Sequence, residues 1–169
     1  MITQRNFIRR RIVGSLGAAL LLMYALAAPV AAGEQRPMHG HYTISVVPVA
    51  QRCGPDALTI GFAGVGIATH LGYMEGTGSN CTSFDLTTEA VPIWDGLATF
   101  VAADGSSITM SYEGAQDAPV AGRATAANTF TVISGTGRFE DATGSWTSSE
   151  LIDFTTGIDL GAFSGWISY

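Results

Sequence analysis

The chain has 169 residues, with 14 acidic side chains and only 8 basic ones, all arginine, for a formal net charge of −6. Four of those arginines lie within the first eleven residues, so the remainder sets fourteen acids against four arginines, a net charge of −10. Such a surface is repelled by phosphate backbones and anionic lipid headgroups, which recruit clustered cations, so nucleic acid and membrane surfaces are excluded as partners.

Taken from the N-terminus, Arg5, Arg9, Arg10 and Arg11 precede an apolar run from Ile12 to Ala32 that ends on small residues, with Val30 and Ala32 at the −3 and −1 positions. This order of charged, apolar and small-residue regions predicts a cleavable signal peptide over residues 1–32. The run is long enough to span a bilayer, but Gly14, Ser15, Gly17 and Pro29 favour cleavage over anchoring. Cleavage after Ala32 leaves one domain of ordinary size, Gly33 to Tyr169, in a secreted or periplasmic location. Residues 33–38, GEQRPM, read as a flexible lead-in, and residues 39–169 as the domain.

Past the lead-in, no segment holds helical periodicity for more than a turn. Short alternating segments rich in Thr, Val, Ile and aromatics recur instead, punctuated by Gly, Pro, Asn and Asp. They predict strands at 41–49, 57–62, 65–74, 82–88, 93–102, 106–113, 126–133, 145–153 and 159–168. Turn signals fall at Gly76–Asn80, at Gly114–Pro119 and, most strongly, at Asp104-Gly105, where glycine accepts positive φ without steric cost. An all-β chain of this kind forms a sandwich or a barrel, and glycines inside strands (Gly61, Gly64, Gly66, Gly72, Gly96, Gly161, Gly165) favour the tighter curvature of a barrel.

Cys53 and Cys81 are the only cysteines, and in an exported chain they read as one disulfide. The stretch SGTGRFEDATG (134–144) has the glycines of a phosphate-binding loop, but a strand follows where a helix N-terminus would be needed. It reads as a corner of the fold, with Phe139 plugging a barrel end and Arg138 pairing with Glu140 or Asp141.

Three segments, GVGIATHLG (64–72), ATFVAADGSSITMSYEG (98–114) and SGTGRFEDATG (134–144), together resemble the allene oxide cyclase-like barrel family, related in fold to plant allene oxide cyclases and dirigent proteins. The resemblance covers roughly residues 60 to 169. It implies a single eight-stranded antiparallel β-barrel of calycin type and carries over no catalytic residue.

Candidate site residues follow from the strand faces. His70 is a cavity-lining acid/base candidate, with a structural hydrogen bond as the alternative. Trp146, Ser148, Glu150 and Ile152 share one face of their strand, so Trp146 and Glu150 could grip a ligand inside a barrel, with Glu150 a carboxyl of raised pKa. Trp94 and Trp166 are ambiguous between cavity and rim; Trp94 joins the candidate set. Met38, His39 and His41 offer two imidazoles and a thioether without a fixed further ligand, so no metal or other cofactor is expected. No G-x-S-x-G, H-E-x-x-H or C-x-x-C motif is present, and no catalytic residue is assigned.

Three roles remain: a binder of a small apolar molecule or an extracytoplasmic interaction module, a cyclase or dirigent-like enzyme shaping a reactive apolar substrate, and a packed structural barrel with Ala98, Ala102 and Ala162 inside. The cavity decides among them.

Overall fold

The computed structural model describes residues 33–47 and 49–169; the expected signal peptide lies outside the described residues. Eight strands run β1 (Arg36–Val47), β2 (Ala57–Ala68), β3 (Gly72–Ser83), β4 (Ala90–Ala102), β5 (Ser107–Asp117), β6 (Arg123–Thr136), β7 (Thr143–Asp153) and β8 (Ile158–Ser168). Each is antiparallel to the next, and β8 pairs back onto β1, closing the barrel. Closure leaves no edge strand with unpaired backbone groups.

Several boundaries differ from the sequence reading. The expected strand 65–74 is a hairpin: β2 ends at Ala68 and β3 begins at Gly72, with His70 at φ 69° in the connecting turn. Ala63 and Gly64, which fall between the expected strands 57–62 and 65–74, lie within β2. Gly76–Asn80 is not a turn but the middle of β3, where the register shifts between Ser79 and Cys81. Residues 84–88 lie beyond the end of β3. The lead-in is shorter than expected, because β1 starts at Arg36 and Met38 is buried inside the barrel. Within β2 and β3 glycines sit in paired strands, as the sharp curvature of a small barrel allows. The Asp104-Gly105 hairpin forms as expected, with Gly105 at φ 82° and its N–H donating to the Ala102 carbonyl (2.9 Å).

Two glycines show what the curvature requires. A Cβ on Gly161 would fall 2.1 Å from the Tyr42 ring, and one on Gly96 would fall 2.6 Å from the Tyr112 ring. Both tyrosines lie flat over a bare stretch of backbone, inside the wall.

The two barrel ends differ. At the closed end, the corner 137–142 folds inward through a single 3₁₀ turn and seats Phe139, 0% exposed, among the core residues that include Met38, Met74, Ile108 and Ile167. Phe139 also meets the Tyr169 ring edge-on, with centroids 4.9 Å apart. The plug is as the sequence suggested, but its arginine is not. Arg138 pairs with Asp104 (3.1 Å) and donates to the His70 carbonyl (2.9 Å), because the corner lies against the neighbouring turns and not along its own chain. The other end, ringed by residues 49–56, 84–89, 118–122 and 154–157, is open.

The Cys53–Cys81 disulfide is formed, tying the β1–β2 connection to the end of β3 beside the open mouth.

Candidate functional site

A cavity of about 420 Å³ fills the open half of the barrel. Its wall is mostly apolar, with Ile44, Phe62, Ile93, Ala98, Phe100, Phe130 and Ile152 among the lining residues. Each projects inward because strands alternate faces, so the buried positions of β6 (Ala124, Ala126, Asn128, Phe130, Val132) follow one another at period two. Below this space the aromatic layer is continuous: Phe130 stacks on Tyr112 (4.7 Å between centroids), and Trp146 packs between Phe130 (6.2 Å) and Phe163 (5.8 Å). The closed half is therefore packed and the open half is not, so the barrel is not filled throughout.

One polar group is built into the apolar wall. Glu150 Oε1 accepts from the Tyr42 hydroxyl (2.5 Å), the Ser148 hydroxyl (2.7 Å) and the Asn128 amide (3.0 Å). The sheet register explains how residues so far apart in sequence converge. Gly161 on β8 pairs with Tyr42 on one side and with Glu150 on the other. Having no side chain, Gly161 lets the tyrosine reach across it to the carboxylate. Ser148 is one inward position from Glu150 along β7, and Asn128 faces Ser148 from β6.

Asp159, on β8 diagonal to Glu150, completes the site. Its carboxyl pKa is pushed up from 3.8 to about 8, first by burial, then by the charge of Glu150 and by the hydrogen bond between the two carboxyls. Its Oδ1 is buried without a hydrogen-bond partner among the described residues, a position that disfavours the charged form beside a second carboxyl. Burial first, and the Glu150 charge second, raise the Tyr42 and Tyr112 phenols well above their ordinary value. Both remain hydrogen-bond donors, Tyr112 to Asn80 Oδ1 (3.0 Å). Asp153 at the mouth is the opposite case. Thr155 hydrogen bonds, helped by Arg123 at 3.2 Å, hold its carboxyl down at about 2. Two aspartates of one hairpin are thus pushed in opposite directions by their surroundings.

The expected site residues separate accordingly. Glu150 lines the cavity. Trp146 faces inward at 2% exposure but lies one layer beneath, in the packed half. His70 does not line the cavity. It sits at the closed end, its Nε2 3.0 Å from the Pro37 carbonyl and its Nδ1 3.3 Å from the Tyr169 hydroxyl, a structural arrangement. Trp94, 37% exposed, points outward because the β4 register breaks between Ile93 and Gly96. Ala98 and Ala102 are interior as expected, whereas Ala162 faces out, since Gly161 and Phe163 take the inward positions. His39 and His41 are exposed on the outer face of β1 while Met38 points inside, so the three cannot share a ligand. Tyr42, Asn128 and Asp159 escaped the sequence reading. The available signal for Asp159 is that it shares a strand face with Gly161 and Phe163.

With this geometry in hand, the comparisons can be weighed. No protein-family model matches the chain, and no curated protein does. Among solved structures, it is similar to the pterocarpan synthase dirigent protein GePTS1, with 16% identity, a TM-score of 0.51, and coverage of 84% of this chain and 95% of that one. The fold is that of a dirigent protein. A second such structure, the pterocarpan synthase dirigent protein PsPTS1, aligns at 15% identity and a TM-score of 0.47 over 79% of this chain and 96% of that one. At these identities the dirigent-like barrel is a shared architecture, and the chemistry must be argued from the site itself.

Proposed function

We propose that this dirigent-like barrel works outside the cytoplasm as a binder of a small, largely apolar molecule, taken in through the open end. Residues 1–32 are its cleaved signal peptide and residues 33–169 the working domain. The charged, apolar and small-residue order of the N-terminus and the Cys53–Cys81 bridge support the compartment. The observation that carries the binding role is the apolar cavity of about 420 Å³ with the hydrogen-bonded Glu150 carboxyl and Asp159 in its wall. That volume is within the range of small-molecule sites, which combine apolar walls with a few placed polar groups.

Native mass spectrometry on protein purified without denaturation tests this. The expected result is an adduct of a few hundred daltons, or capture of an added apolar probe, abolished by Ala98→Trp, which fills the cavity from its wall. A barrel that neither carries nor captures any such molecule would overturn the proposal.

A second reading, a cyclase- or dirigent-like catalyst, draws on the same pair. Burial beside Glu150 raises the Asp159 carboxyl, so that in its protonated form it could protonate a leaving or rearranging group while Glu150 steadies the charge that develops. Recovery of a captured molecule in altered form, lost in Asp159→Asn, would favour catalysis over carriage.

A further inference from the structure

We propose that the cavity selects a cationic amphiphile, a protonated amine on an apolar or aromatic body, with Glu150 as its counter-ion. This rests on the binding role just proposed and names the ligand class for the same site.

The charge inventory of the cavity carries the argument. Its ionisable lining residues other than tyrosine are Glu150, Asp153 and Asp159; among the described residues, no arginine, lysine or histidine lines it. Asp153 is already paired with Arg123 (3.2 Å), and Arg52, near the mouth, is paired with Asp95. Glu150 has no such partner. Three donors converge on one of its oxygens, so the site is organised around an anion, yet hydrogen bonds alone offset its removal from water. A half-buried carboxylate in an apolar wall, without a counter-ion, is partly stripped of water, and a positive ligand group relieves that cost where a neutral one does not. Asp159 supplies no compensating charge.

The remaining wall suits the rest of such a ligand. Tyr42, Phe62, Phe100, Tyr112 and Phe130 present aromatic surface around the pair, which accommodates an apolar body and attracts a cation through the ring faces. The excess of acids beyond residue 32, fourteen against four arginines, draws cations toward the mouth and repels anions. A carboxylate-headed lipid is disfavoured at both stages: it meets repulsion on approach, and a second negative charge at Glu150.

Three probes with one body and different heads test this: 4-phenylbutylamine, 4-phenylbutanol and 4-phenylbutyrate, titrated calorimetrically into the protein at pH 7.5 and physiological salt. The expected order is amine tighter than alcohol by about tenfold or more, with butyrate weakest. In the double variant Glu150→Gln/Asp159→Asn, which keeps the surface charges, the amine-to-alcohol ratio should fall to near one. Asp159→Asn alone, retaining the Glu150 charge, should keep the preference. Alcohol or butyrate binding as tightly as the amine would overturn the ligand class while leaving the binding role standing. An amine preference that persists in the double variant would also overturn it, by placing the cation on the outer surface. No binding by any probe would overturn both readings. The wild-type comparison decides even if a variant fails to fold.

Discussion

Asp159 is the residue whose behaviour says most about the site. Its folded pKa, about 8, lies above the ordinary 3.8, so the fold prefers this group protonated. For an acid shifted upward, the associated stability is fully present below the unfolded pKa and is lost as pH rises through the folded one. The window is therefore pH 4 to 8, with stability declining toward alkaline pH. Asp159→Asn, permanently neutral and of the same shape, should melt at a higher temperature than wild type at pH 8, with the difference shrinking toward pH 5. Thermal unfolding followed by circular dichroism across that range checks it; a variant no more stable at pH 8 would mean the carboxyl is not held neutral by its surroundings. A gain in stability on removing a buried acid is the pattern of a residue kept for function. The wall glycine opposite shows the same economy of space. Gly161→Ala would place a methyl 2.1 Å from the Tyr42 ring, forcing the tyrosine off Glu150. Overpacking of this kind costs about 1–3 kcal/mol, read as a lower denaturation midpoint in urea.

Among the segments joining the strands, the 137–142 corner matters most. It turns a loop into a stopper by driving one phenylalanine into the barrel, with Gly137 at φ 60° allowing the chain to double inward. Phe139→Ala should destabilise the fold by about 3–5 kcal/mol, since the buried ring leaves a void that the surrounding strands cannot collapse into. Chemical denaturation measures this directly, and a loss under 1 kcal/mol would show that the plug is not a structural keystone. This corner was legible in advance because its one large apolar residue had nowhere to go but inward. The β2–β3 hairpin was not. Residues 65–74 alternate well enough to pass for one strand, and only pairing, Ala68 against Gly72, shows where the chain reverses.

Across the barrel, a packed half and a hollow half divide stability from function. The disulfide belongs to the hollow half, where the core is thinnest. It closes a 28-residue separation, so reduction should cost roughly 3 to 4 kcal/mol on the chain-entropy account, seen as a lower melting temperature with reductant present. An unchanged melting temperature would show that the mouth is rigid without it.

Composition and strand alternation were enough to determine an all-β chain, the disulfide and the strand face that Trp146 and Glu150 share. Those properties are local: a period of two, a pair of cysteines. Only the closed barrel decided that Tyr42, Asn128, Glu150 and Asp159 meet, that Trp94 faces out, and that His70 belongs to the closed end. These depend on register between strands, some of them distant in sequence, as with Tyr42 and Glu150 at a separation of 108. A register shift of one residue would turn every one of those side chains to the opposite face, and nothing in the local sequence records which register the closed sheet adopts.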